Sequence, residues 1–168
     1  FAGKVYTHRA SSDLCSILLE DAAYLMEKEA ERDNRRRRTG KPAAPLYGRE
    51  DAREAQRSFR GLDYGERTRL CEGAWLTLRD AGHILGSAIA ELELEAGGAR
   101  RRLVVSGDLG HPGAPILRDP ETVAGADLVL LESTYGDRSH RAWEDTWREI
   151  GGILRDARDG GGNVLVPS

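Results

Sequence analysis

The stretch from Ala88 to Glu95 reads AIAELELE, an alternation of apolar and charged residues that constrains the fold more than any other part of the chain. A period of two gives a strand one face for a core and one for water, a pattern that a helix cannot use. Gly97 and Gly98 follow, and Leu103 to Val105 is again apolar. Two glycines between two strand signals predict a hairpin, hence two adjacent antiparallel strands.

Strand and helix signals alternate around this hairpin. Lys4 to Thr7 is β-prone. Ser11 or Ser12 is placed to cap a helix with Asp13 in its first turn, and Leu14, Ile17, Leu18, Ala22, Leu25 and Met26 recur at helical spacing, predicting an apolar stripe that packs as far as Arg36. Thr39 to Pro45, with Gly and two prolines, reads as a connector, and Arg49 to Phe59 as a second helix. Trp75, Leu76 and Leu78 mark a strand. Asp127 to Leu131 (DLVLL) predicts a short buried strand, Arg141 to Arg158 a helix with Trp143, Trp147, Ile150 and Leu154 on one face, and Asn163 to Val166 a further buried strand. The fold class is therefore α/β.

With 168 residues, 39% hydrophobic and 32% charged, the chain has the balance of a globular domain. It carries no apolar run long enough for a membrane span and no leader at its start, so it is expected to be cytoplasmic. Cys15 and Cys71 lack CxxC spacing and read as reduced, partly buried thiols. A net charge of −3 excludes a uniformly basic nucleic-acid coat. All but Lys4, Lys28 and Lys41 of the 25 cationic residues are arginine, which suits phosphate contacts but equally reflects genome composition; the run Arg35 to Arg38 reads as a solvated helix end or an RNA backbone contact.

Three islands carry the chemistry: DAGHILGSA (Asp80 to Ala88), SGDLG (Ser106 to Gly110) and LLESTYGDRSH (Leu130 to His140). Each sets a metal-competent or proton-competent side chain, His83, Asp108 or Glu132, beside small residues where an apolar run ends. Imidazole is a common metal ligand, although a lone histidine is more often structural. A carboxylate such as Asp108 can bridge two cations or close an Asx turn. Glu132 ends a buried strand pattern, so it needs a partner: a histidine, Arg138, or an outlet to water. Ser133, Thr134, Tyr135 and Gly136 offer donors in a turn or simply form one, and His140 stands where the next helix starts.

In this order and at these separations, the islands resemble the third and fourth metal-binding motifs of the metallo-β-lactamase fold followed by motif A of the β-CASP nucleases. That group contains the pre-mRNA 3′-end cleavage endonuclease subunit and bacterial and archaeal RNA-processing relatives. VYTHRASSDL near the start and GGNVLVPS at the end extend the resemblance to nearly the whole chain. GHILGSA with SGDLG fits many hydrolases of this fold; ESTYGDRSH narrows the choice to β-CASP. The resemblance implies part of an αββα sandwich over residues 1–137 and the start of a β-CASP domain over 138–168. It implies that His83 ligates one zinc, that Asp108 bridges two, and that Glu132 orients a histidine later in the family sequence. Asp108 and Glu132 are the catalytic candidates, and Ser133, Thr134 and Tyr135 the substrate-binding ones. The implied function is metal-dependent hydrolysis of RNA phosphodiester bonds by water activated between two zinc ions. The partner is then RNA, with no membrane and a homo-oligomer left open. Alternatives are hydrolysis of a small ester, thioester or lactam, or a non-catalytic scaffold in RNA processing.

The family's HxHxDH motif and its two later β-CASP histidines are missing from this sequence. Its four histidines are His8, His83, His111 and His140, none with HxH spacing. The expectation is a segment of a longer enzyme that is inactive as given and holds zinc weakly.

Overall fold

In order along the chain, the elements of the computed structural model are β1 (Val5–His8), α1 (Arg9–Arg36), α2 (Arg49–Gln56), β2 (Phe59–Leu62), β3 (Thr68–Cys71), β4 (Ala74–Asp80), β5 (Ala88–Ala96), β6 (Ala99–Ser106), β7 (Leu128–Leu130) and α3 (Trp143–Asp159). The structure describes residues 2–36, 40–139 and 141–166. The mixed α/β class expected from the sequence is what the chain adopts. It divides into two units, Phe1–Glu132 and Ser133–Ser168.

In the first unit, β3-β4-β5-β6-β7 form one sheet, antiparallel except for the β6–β7 pair. The alternating segment forms the predicted hairpin: β5 and β6 pair down to Ala96↔Ala99, and Gly97 and Gly98 take φ of +57° and +77°. Two consecutive positive φ values make the tight turn whose twist matches the strands, a conformation glycine adopts without strain. β1 and β2 form a separate parallel pair from Val5↔Phe59 to His8↔Leu62.

The core lies where Leu62 of β2 meets Leu76 and Leu78 of β4, with Tyr6, Tyr64, Leu70, Ala88, Ala90 and Leu92 packed around them. Burying each of these leucines contributes about 2 kcal/mol. A smaller cluster of Ala81, Ile89 and Val104 is sealed by Leu109 and Val123. Because neighbours along a strand point to opposite faces, Ile89 and Ala90 assign the two clusters to the two faces of the sheet. On the Ile89 face, Arg67 lies 4.3 Å from the Trp75 ring centre, and its hydrogen bond to Glu93 holds that carboxyl below its usual range.

Several expectations are corrected. Helix α1 starts at Arg9, ahead of both Ser11 and Ser12, and no acidic residue lies in its first turn. The His8 ring takes over the capping, its Nδ1 accepting the Ala10 N–H at 3.2 Å. The apolar stripe of α1 is largely uncovered: Ala23 is buried but Ile17 is 67% exposed, because α2 and β2 meet the helix along another line. Helix α2 ends at Gln56, since Phe59 opens β2. The segment expected as a buried strand at 127–131 does form β7, yet Leu128, Val129 and Leu130 are exposed because the strand is the sheet's edge. Cys15 is partly buried as expected, whereas Cys71 at the end of β3 is exposed; both are free thiols.

The second unit consists of a turn and α3, which starts at Trp143, with the Trp143 and Trp147 rings stacked at 6.0 Å. Its apolar face, including Trp147, Ile150 and Leu154, is exposed. Residues 163–166 form no strand, and Leu165 is 90% exposed. An apolar run becomes a strand only when another strand satisfies its backbone, and no described residue pairs with it. No described helix is long and apolar enough to cross a membrane.

Candidate metal centre

β4 and β5 separate after the pair Asp80↔Ala88, leaving residues 81–87 as the loop that carries His83. Ser87 organises this loop. Its carbonyl accepts the Ala81 N–H at 3.2 Å, its N–H donates to Ile84 O at 3.0 Å, and its Oγ accepts the His83 and Ile84 amides at 3.0 and 3.3 Å. Asp80 Oδ1 accepts the Gly82 N–H at 2.9 Å, and Gly82 turns the chain with φ +65°.

Asp108 lies in the turn that follows β6. Gly110 pins that turn to the His83 loop by donating its N–H to Ala81 O at 2.8 Å. A Cβ on Gly110 would overlap the Gly82 carbonyl, so glycine permits this approach of two backbones. The result is that His83 Nε2 and Asp108 Oδ2 stand 3.7 Å apart, with side chains 44% and 71% exposed. Gly110→Ala is expected to push the two loops apart at a cost of about 1–3 kcal/mol. Urea denaturation checks this, and an unchanged midpoint would refute the close packing of the loops.

Glu132 braces the same turn. Its N–H donates to Ser106 Oγ at 3.0 Å, and its Oε1 accepts the Leu109 N–H at 3.2 Å. The partner sought for this carboxylate thus includes a backbone amide one residue beyond Asp108. Ser87, which ties the His83 loop to itself, and Ser106, which holds the Glu132 amide, were not singled out from the sequence; the only signal was that each stands beside a glycine at a strand end. Ser133, Thr134 and Tyr135 are exposed in the turn that opens the second unit, where Gly136 N–H donates to Ser133 O at 3.0 Å and Arg138 lies 5.2 Å from the Tyr135 ring centre.

The remaining histidines take other roles. His8 stacks on Tyr64 at 3.9 Å, and His111 Nδ1 lies 2.7 Å from Pro112 O. His140 lies outside the described residues. Among the described residues, no group of three or more His, Cys, Asp or Glu side chains is placed to hold a metal ion. His83 and Asp108 offer one imidazole nitrogen and one carboxylate on a common side, a donor pair that suits zinc but supplies fewer ligands than a tetrahedral ion takes.

No protein-family model matches the chain. Among curated proteins, ribonuclease TTHA0252 of Thermus thermophilus is 41% identical over 169 residues, which cover 100% of this chain and 34% of that protein. Transcription termination factor FttA of Methanocaldococcus jannaschii is 31% identical over 171 residues, covering 99% of this chain and 25% of that factor. RNase aCSPSF2 of Saccharolobus solfataricus is 27% identical over 120 residues, 70% of this chain and 23% of that protein. The chain therefore spans between about a quarter and a third of the length of these relatives. Carrying GHILGSA, SGDLG and ESTYGDRSH in family order, and aligned along its whole length with such relatives, the chain belongs to the β-CASP family of metallo-β-lactamase-fold proteins.

Proposed function

We propose that the protein carrying this chain hydrolyses RNA phosphodiester bonds at a two-zinc centre to which His83 and Asp108 contribute. What supports this reading most is the 3.7 Å approach of an imidazole and a carboxylate from two separate loops. The names of the relatives, two ribonucleases and a transcription termination factor, favour RNA as substrate. In this proposal residues 1–137 are part of an αββα sandwich, residues 138–168 begin a β-CASP domain, and the protein works in the cytoplasm.

His83 would ligate one ion and Asp108 would offer an oxygen to each of two. When bound, such a pair supplies Lewis acidity and a water of lowered pKa. The chain's own contribution is to position. Glu132 holds the Leu109 amide and thereby the turn that aims Asp108, while Ser87 holds the His83 amide. Both ligands are exposed enough to be reached by a strand of RNA. Ser133, Thr134 and Tyr135 would supply hydroxyls to the substrate.

The test is cleavage of end-labelled single-stranded RNA by the protein that carries this chain, before and after chelation and on re-addition of zinc. Cleavage lost on chelation and restored by zinc is expected; chelator-resistant cleavage would overturn the proposal. The 168-residue chain alone is expected to bind zinc weakly, with a dissociation constant above roughly 1 μM, because two ligands leave half of a tetrahedral shell to water. Two zinc ions per chain surviving dialysis, measured by elemental analysis, would contradict this.

A further inference from the structure

Two hydroxyls outside the site end on consecutive carbonyls of the His83 loop. Ser11 Oγ donates to Gly86 O at 2.6 Å, and the Tyr64 hydroxyl donates to Ser87 O at 2.7 Å. Ser11 lies at the start of α1 and Tyr64 between β2 and β3, so the loop is gripped from two elements remote in sequence.

Each donor is itself held. Tyr64 bridges to Leu78 of β4, and the next residue, Gly65, donates its N–H to Leu78 O at 2.8 Å. Its ring stacks on His8 at 3.9 Å with 13° between planes, and that histidine fixes the α1 start through the Ala10 amide. Burial pushes the Tyr64 phenol up to about 12, so it stays a donor throughout the working pH range. At Gly86 a Cβ would lie 2.6 Å from Ser11 N, so the first turn of α1 is in contact with the loop backbone. Ser87 passes the grip onward, because the residue whose carbonyl Tyr64 holds is the one whose Oγ accepts the His83 amide.

We propose that Tyr64 and Ser11 are positioning residues, which clamp the carbonyls of Ser87 and Gly86 and so keep the His83 imidazole beside the Asp108 carboxylate. Neither touches the reacting atoms. The consequence for metal binding rests on the reading of His83 as a ligand; the clamp itself does not. Residues that fix a ligand's orientation typically govern metal affinity 10- to 100-fold.

Tyr64→Phe is the informative variant, since it keeps the ring and its stack on His8 and removes one donor. It is compared with Ser11→Ala and with Ser11→Thr, which retains the hydroxyl, in the protein that carries this chain. Hydrogen exchange of the 81–87 peptide by mass spectrometry reads the loop, and competition with a chromogenic chelator reads zinc affinity. Tyr64→Phe and Ser11→Ala are expected to speed exchange of 81–87 about fivefold relative to the β5 peptide and to weaken zinc binding about tenfold, while Ser11→Thr stays within about twofold of the parent. Unchanged exchange in 81–87, or faster exchange spread evenly over α1 and the sheet with the affinity of the folded protein intact, would overturn the proposal. If the unsubstituted protein takes up no zinc, the metal-centre reading fails separately, and exchange of 81–87 against β5 alone decides the clamp.

Discussion

Asp108→Asn is expected to lower kcat/KM for single-stranded RNA by on the order of a thousandfold or more in the protein that carries this chain, with the unfolding midpoint nearly unchanged. The side chain is 71% exposed, so its packing contributes little, and surface substitutions ordinarily move stability by less than about 0.5 kcal/mol. Asparagine keeps the shape of the side chain but loses its charge, and only one of its two terminal atoms remains an acceptor. In the proposed two-zinc site Asp108 would offer an oxygen to each cation, which an amide cannot do. His83→Ala is expected to be as severe, and the double variant no worse than either alone, because in the proposed site both residues serve one centre and their losses would not add. Steady-state kinetics with thermal melting of the same samples checks this. An Asp108→Asn protein that cleaves at the parent rate would remove Asp108 from the site.

The parts of the fold that were legible in the sequence are those fixed by local pattern. AIAELELE with its two glycines had one reasonable outcome, and α3 followed from the spacing of Trp143, Trp147, Ile150 and Leu154. What escaped depends on partners far along the chain. β2 reads FRGL, too short and too polar to declare itself, and it is a strand because β1, some fifty residues earlier, pairs with it in parallel. The start of α1 was misplaced because His8, which lacks the usual capping signature, caps it in place of a serine, leaving Ser11 to donate to Gly86. The same limit applies to the candidate site. His83, Asp108 and Glu132 were visible as residue types beside small residues at the ends of apolar runs, but the contact between Gly110 and Ala81 that brings the first two together, and the bond from the Leu109 amide to Glu132, belong to tertiary structure.

Glu91 shows the limit of alternation most sharply, and its loss should have the largest effect on stability. Its place in AIAELELE puts it on the face opposite Leu92, where a pattern reading expects water. The residue is instead 5% exposed and lies between two arginines on the neighbouring strands: Arg79 of β4 at 3.1 Å and Arg102 of β6 at 3.3 Å. Both arginines also reach the 121–125 segment, Arg79 towards Glu121 at 3.8 Å and Arg102 Nη1 to Ala124 O at 3.0 Å. That segment in turn holds β4 at the edge of the candidate site, Glu121 exchanging hydrogen bonds with both the N–H and the C=O of Asp80. Glu91→Ala removes the one carboxylate both arginines share and leaves their charges facing each other over a void. Breaking a buried pair in this way costs about 3–5 kcal/mol; here the lower end applies, because the arginine side chains are 35% and 40% exposed and water recovers part of the loss. Glu91→Gln, which keeps the shape and one acceptor, is expected to cost about 1–2 kcal/mol. Urea denaturation followed by tryptophan fluorescence measures both. Should Glu91→Ala unfold at the parent midpoint, the carboxylate would not be the tie between sheet and covering segment, and the path by which that segment steadies Asp80 and the His83 loop would have to run elsewhere.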